Sequence, residues 1–133
     1  MENIFQKIIK KEKKSHIIYE NKKNIAILDI YPVTLGHTLV IPKNIKDDYI
    51  FSMNTKKYLS LMKFSYFIAN ILKKSIKCKR ISLSVVGLEI KYVHVHLIPI
   101  NKIEDLNFLK KKKKKINEKK LNNILKKIKK KIK

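Results

Sequence analysis

The stretch Tyr92-Val93-His94-Val95-His96-Leu97-Ile98-Pro99 alternates between two kinds of side chain and closes on a proline. Alternation of period two is the signature of a strand with one buried face, so Ile90 to Pro99 is expected to form one. Side chains two apart in a strand leave from the same face. His94 and His96 therefore project together with Tyr92, while Val93, Val95 and Leu97 point into a core. Two imidazoles on one sheet face can be a metal pair, a nucleophile with a proton donor, or two surface histidines. The metal reading finds no carboxylate or cysteine cluster nearby in sequence to complete a ligand set.

Working outward, Gly87 supplies a turn before this strand, and Arg80 to Val86, partly alternating and β-branched, reads as its hairpin partner. From Thr55 to Lys77 there is neither Gly nor Pro. Leu59, Met62, Tyr66, Ala69 and Leu72 recur at helical spacing, so a long amphipathic helix is expected, with Asn54 as its N-cap. Further back, His37-Thr38-Leu39-Val40-Ile41-Pro42 reads as a strand, and Tyr31 to Gly36 as a loop marked by Pro32 and Gly36. Ile25 to Ile30 and Ile17 to Glu20 read as strands joined by the polar hairpin turn Asn21-Lys22-Lys23-Asn24. The segment Glu2 to Lys14 spaces Ile4, Phe5, Ile8 and Ile9 as a helix does and leaves through a run of lysines. Most connections are too short for parallel crossovers, so the order helix, strands, long helix, strands implies an α+β fold with an antiparallel sheet.

The segments Phe5-Gln6-Lys7-Ile8-Ile9, Ile27-Leu28-Asp29-Ile30, Gly36-His37-Thr38-Leu39-Val40-Ile41-Pro42-Lys43 and Val93-His94-Val95-His96-Leu97-Ile98-Pro99 resemble, in order, the signatures of the histidine-triad (HIT) family. The resemblance covers residues 3–100. It implies a five-stranded antiparallel sheet with a long helix and a short N-terminal helix, and a homodimer in which two sheets join. It also implies a nucleotide hydrolase or transferase acting at an α-phosphate through a covalent nucleotidyl-histidine. His94 would be the nucleophile, and its other ring nitrogen would be held by an acceptor such as a backbone carbonyl. His96 would contact phosphate or the leaving group and donate a proton to it, and His37 would join the cluster. Asp29 would accept from the ribose hydroxyls, and Ile4, Phe5, Ile8, Ile27 and Ile30 would form the apolar slot for a purine.

Several positions depart from the family pattern. Tyr92 stands where the first triad histidine would be, and cannot act as an imidazole that titrates near neutral pH. Leu88 and Glu89 replace a glutamine and a small hydroxyl residue near the phosphate, so Ser84 or the backbone N–H groups around Gly87 would have to substitute. Asn3 and Gln6 replace the paired cysteines that bind zinc in some members, so no structural zinc, and no other metal or cofactor, is expected. Lys13-Lys14 replaces an apolar Ile-Pro edge of the base pocket. These departures keep a rival reading open, a nucleotide-binding or scaffold protein with little catalysis that would contact RNA through a lysine-rich C-terminal tail.

Composition sets the outer bounds. The 133 residues suit one domain, and the hydrophobic share of 44% argues against wholesale disorder. No apolar run is long enough to span a bilayer, and Met1-Glu2-Asn3-Ile4-Phe5-Gln6 does not read as a signal peptide. The lone Cys78 can form no intramolecular disulfide, and a cytoplasmic setting is expected. The net charge of +23 has two explanations. One is binding to nucleic acid. The other is drift in an A/T-rich genome: all basic residues but Arg80 are lysine, Ile and Asn abound, Trp is absent, and Gly and Pro are scarce. A nucleic-acid module would be expected to use more arginine, which favours drift. The HIT-like domain is expected to occupy residues 1–103 and a lysine-rich extension, helical or disordered, residues 104–133. In that extension Ile116, Leu121, Ile124, Leu125, Ile128 and Ile132 would line up on a basic helix.

Overall fold

A computed structural model describes residues 2–107 and 114–132. The chain runs α1 (Ile4–Ile9), β1 (Ile17–Glu20), β2 (Asn24–Leu28), β3 (Thr38–Pro42), α2 (Thr55–Ser75), β4 (Arg80–Ser84), β5 (Val95–Ile100) and α3 (Glu118–Lys129). The strands form one five-stranded sheet in the order β1-β2-β3-β5-β4, with every neighbouring pair antiparallel.

Each element carries its own stop and start signals. Asn3 and Gln6 form a capping box at the head of α1: the Asn3 side chain accepts from the Gln6 amide at 3.0 Å and the Gln6 side chain from the Asn3 amide at 2.9 Å. The helix ends at Ile9 because Lys11 takes a φ of 66° and the Glu12 and Lys13 amides turn back to the Lys7 carbonyl. The Asn21 side chain closes the β1–β2 turn, accepting from the amides of Lys23 and Asn24, both at 2.9 Å. Asn54 caps α2 through its side chain, accepting from Lys56 and Lys57.

Helix α2 packs on the face of the sheet formed by β2, β3, β4 and β5. Its buried stripe is Leu61, Phe64, Ser65, Ile68, Ile71, Leu72 and Ser75, which keeps Leu72 of the stripe expected from the sequence and has Met62 and Ala69 half-buried at its margin. Leu59 and Tyr66 of the expected stripe are 59% and 75% exposed. The helix carries apolar residues on more than one face, so spacing alone offered two faces and only the sheet chose between them.

Strand β5 starts at Val95, later than expected. Residues Ile90 to His94 lie in an irregular approach in which the Tyr92 amide bonds the Ile90 carbonyl and the Val93 amide bonds the Asp47 carbonyl. Strand β4 likewise ends at Ser84, β2 at Leu28, and β3 begins after His37.

Of the C-terminal segment, residues 108–113, which hold most of the lysine run Lys110–Lys115, lie outside the described residues. Helix α3 packs against β1 and α2 and buries Leu121, Ile124 and Ile128 in the same core as the sheet. Burying each of these side chains is worth roughly 1.5–3 kcal/mol, enough to dock a helix whose other face is lysine. No helix among the described residues is long and apolar enough to cross a membrane.

Candidate active site

One row of the sheet prepares the site. Ile27 pairs with Leu39, Leu39 with His96, and His96 with Ser84, and directly opposed residues share a face. This is the face turned away from α2. Helix α1 lies over it, and between them is a cavity of about 420 Å³, within the usual range for a small-molecule site. Its walls include Ile4, Phe5 and Ile8 from α1, Ile27, Asp29 and Ile30 from the end of β2, Gly87 from the loop after β4, and His94 and His96. Every expected site residue except His37 and Ser84 therefore lines one cavity. The sequence reading missed Leu39, whose place opposite His96 in the register is its only signal, and Ser15, Tyr31, Val86 and Ile90.

The histidines are ordered by their partners. His94 is buried, and its Nδ1 lies 2.8 Å from the Tyr92 carbonyl. A carbonyl can only accept, so Nδ1 carries a proton, and the neutral form of the ring has its lone pair on Nε2. Phe5 packs on this imidazole, ring centroids 4.8 Å apart, and the His96 ring lies 4.9 Å from it. The Tyr92 side chain does not join the cluster: its hydroxyl donates to the Pro42 carbonyl at 2.6 Å, and burial raises its pKa. Tyr92 thus organises His94 through its backbone.

His37 stands behind the cavity wall, 2% exposed, with its Nε2 3.0 Å from the Nδ1 of His96. Its own Nδ1 accepts the Val33 amide at 3.1 Å. Asp29 Oδ2 lies 3.7 Å from His37 Nε2, while Asp29 Oδ1 accepts the Tyr31 amide at 2.9 Å. Asp29, His37 and His96 bring one ligand atom each within 4.8 Å of one another. The set suits a cation poorly, because the Val33 N–H takes the Nδ1 lone pair of His37 and leaves a proton, not a lone pair, on Nε2.

Ser84 sits opposite His96 in β4, and its buried hydroxyl has no hydrogen-bond partner among the described residues; it is not part of the cavity wall. Gly87 has a φ of 68°, which bends the loop over the cavity. Glu89 and the lysines Lys13 and Lys14 all stand at the cavity and are solvent-exposed, where water weakens a carboxylate's repulsion of a phosphate. Asn3 and Gln6, at the positions of the paired cysteines, are committed to the α1 cap.

The family model described as HIT domain matches residues 10–103. The chain belongs to the HIT family. Among its HIT relatives, an HIT-like protein of Borreliella burgdorferi is 35% identical over 112 residues, covering 79% of this chain and 80% of that one. The adenosine 5′-monophosphoramidase of Saccharomyces cerevisiae is 34% identical over 105 residues, covering 72% of this chain and 61% of the yeast protein. The fold is equally shared. A histidine triad nucleotide-binding protein from Sulfolobus tokodaii superposes with a TM-score of 0.81 at 30% identity, covering 98% of this chain and 91% of that one. A Hit-like protein from Bartonella henselae gives 0.82 at 28% identity, covering 98% and 96%. The HIT fold expected from the sequence, with its five-stranded sheet and long helix, is the fold observed.

Proposed function

We propose that this HIT protein hydrolyses, or transfers from, a nucleoside 5′-phosphoramidate or a related purine nucleotide, with His94 as the nucleophile. The observation that carries the proposal is the 2.8 Å contact between His94 Nδ1 and the Tyr92 carbonyl. It leaves a nucleophilic lone pair on the nitrogen of a ring that lines the cavity, and it does so with tyrosine at the first triad position. The likeness to a yeast adenosine 5′-monophosphoramidase supports the same reading.

The purine enters between Ile4, Phe5 and Ile8 on one side and Ile27 and Ile30 on the other, and Asp29 accepts from the ribose hydroxyls. The α-phosphate lies against His94 and His96, under the amides around Gly87. The His94 Nε2 lone pair forms a bond to phosphorus as the bond from phosphorus to the leaving group breaks, and the leaving group takes that electron pair. His96 donates a hydrogen bond to the departing atom or to a phosphate oxygen. Water then attacks phosphorus and passes a proton to a phosphate oxygen, the N–P bond returns its pair to His94, and the nucleoside monophosphate leaves.

Two protomers pair through β4, the sheet's open edge, none of whose residues is buried. Sedimentation showing a monomer at micromolar concentration overturns that pairing.

The test is single-turnover hydrolysis of adenosine 5′-phosphoramidate by the wild type and His94→Ala, with intact-protein mass spectrometry. Turnover with a nucleotidyl adduct that the variant lacks supports the proposal. A folded wild type that binds AMP but gives neither turnover nor adduct favours a binding or scaffold role instead.

A further inference from the structure

We infer that the backbone amide of Val33, acting through His37, holds His96 as a neutral imidazole with its proton on Nε2. His96 is then a hydrogen-bond donor and not an imidazolium acid, and the site selects leaving groups that need no proton from the enzyme. This rests on the function proposed above for its consequence, though not for the proton arrangement itself.

Which atoms can donate fixes the arrangement. A backbone N–H only donates, so His37 Nδ1 at 3.1 Å from the Val33 nitrogen must be the unprotonated nitrogen of its ring. The His37 proton therefore sits on Nε2. That nitrogen faces His96 Nδ1 at 3.0 Å, so His96 Nδ1 must accept and its proton sits on Nε2. Hydrogen bonds thus run in one direction, from Val33 to His37 to His96 and into the cavity. A second proton on either ring would bring two donors head to head, at Val33 or between the imidazoles.

The surrounding charges bear on this chain. Asp29, 3.7 Å from His37 Nε2, favours a cationic His37, but a proton on Nδ1 would meet the Val33 amide. His94 lies beside His96 with its own proton directed to the Tyr92 carbonyl, and Ser84 is the cross-strand neighbour. Lys13, Lys14 and Glu89 are exposed at the cavity and exert only screened fields. The anchor itself is firm. The Thr34 hydroxyl donates to the Pro99 carbonyl at 2.6 Å, and the His37 amide to the Thr34 carbonyl at 3.1 Å, so the loop carrying Val33 is tied to β5.

The consequence concerns the leaving group. If His96 gave up its Nε2 proton, the His37 proton would shift to His96 and leave His37 an imidazolate, because the Val33 amide cannot yield its own. The departing atom must then bring its proton, as the N-protonated amine of a phosphoramidate does, or leave as a stable anion, as fluoride or a phosphate does. Simple alkyl esters of a nucleotide, which leave as alkoxides, are poor substrates. Lacking a general acid costs roughly 100-fold or more.

The chain has four histidines, few enough for nitrogen-15 imidazole spectra to resolve, with His16→Gln as an assignment control that touches no part of the site. Near neutral pH, His37 and His96 are both expected in the neutral Nε2–H form. An imidazolium or an Nδ1–H tautomer at His96 overturns the inference, whether or not the protein turns over any substrate. In parallel, hydrolysis of adenosine 5′-phosphoramidate, the 5′-phosphofluoridate and the 5′-methyl phosphodiester is compared. The first two are expected to be cleaved and the methyl ester roughly 100-fold more slowly or worse; equal rates overturn the inference. His37→Leu is expected to let His96 ionise, whereas His37→Gln, which keeps a side-chain N–H donor, retains the neutral form. Should His37→Leu not fold, Val33→Pro removes the amide N–H while leaving His37 in place. If the folded variant leaves the His96 spectrum as it was, the inference fails.

Discussion

The Tyr92 carbonyl accepts the Nδ1 proton of His94 at 2.8 Å, while the Tyr92 hydroxyl is engaged by the Pro42 carbonyl at 2.6 Å. One residue thus serves the nucleophile by its backbone and the core by its side chain. Tyr92→Phe is expected to keep kcat within a few-fold while costing about 1–3 kcal/mol of stability, because a buried carbonyl loses its donor. Denaturant melts and steady-state kinetics on the same preparations check this. A collapse of kcat at unchanged stability would place the hydroxyl in the chemistry.

The same hydroxyl sets an alkaline limit. Burial raises the Tyr92 pKa, against a smaller opposite effect of a hydrogen bond from the Ile45 backbone. A folded pKa above the unfolded one means that the contribution is complete below the ordinary phenol value of about 10 and is lost as pH rises through the folded value. The stability difference between wild type and Tyr92→Phe should therefore stay constant through neutral pH and shrink above about pH 10. A difference unchanged at high pH would show that Tyr92 does not ionise on unfolding.

An acid limit of smaller size comes from Glu20. Its pKa is lowered chiefly by the hydrogen bond from Lys11, with Lys43 as a second partner, against a desolvation that raises it. The contribution is present above the unfolded carboxylate pKa and lost as pH falls through the folded one. The carboxylate is part-exposed, so the whole effect should stay below about 1 kcal/mol. Comparing Glu20→Gln with wild type in melts at neutral and at strongly acidic pH reads it directly.

Gly36 and Gly87 should respond differently to alanine. Gly36 has a φ of 94°, and a Cβ there would run into the Ile76 side chain, so Gly36→Ala combines strain with a clash and should cost about 1–3 kcal/mol. Gly87 at φ 68° meets only the Asp48 carbonyl at 3.4 Å, so its loss is the backbone strain of about 1–2 kcal/mol. Gly87 lines the cavity, so its variant should also raise KM for the nucleotide, which thermal melts and kinetics together will show.

The C-terminal helix behaves as core. Ile128 is fully buried, the Ile116 amide bonds the Ile30 carbonyl at 2.9 Å, and Glu118 meets His16 at 2.9 Å. Ile128→Ala should cost about 2–5 kcal/mol, as a core truncation does. Replacing the exposed Lys127 or Lys131 by Gln should stay within about 0.5 kcal/mol. RNA retention is therefore better tested with such charge changes than with a deletion, which would strip the core and loosen the segment next to Asp29. A deletion of 114–133 that left the melting temperature unchanged would contradict this packing.

Much of the molecule was legible from local pattern. The Asn54 cap, the Asn21 turn, the Gly36 and Gly87 breaks, and the pairing of His94 with His96 across one strand residue depend on neighbours a few positions away. Local chemistry decides them, and they stand where spacing placed them. The gathering of Ile4, Phe5, Ile8, Ile27, Asp29 and Ile30 around those histidines was legible only through resemblance, since no periodicity links residue 4 to residue 94.

Three things belonged to the tertiary structure alone. Helix α2 is apolar on more than one face, and the sheet buried Phe64, Ile68 and Leu72 while leaving Leu59 and Tyr66 to solvent. The stripe on α3 was visible in the sequence, yet whether it covered this domain or another surface depended on an apolar gap beside β1 and α2. The proton arrangement of the histidines depends on a loop amide, Val33, and a carbonyl, Tyr92, neither of which any side-chain pattern records. The sequence by itself determined which residues could do chemistry, because residue type and local spacing are written in it. Which nitrogen holds a proton was decided by backbone atoms that every residue possesses, and only folding brings a particular one within 3 Å or so of a ring.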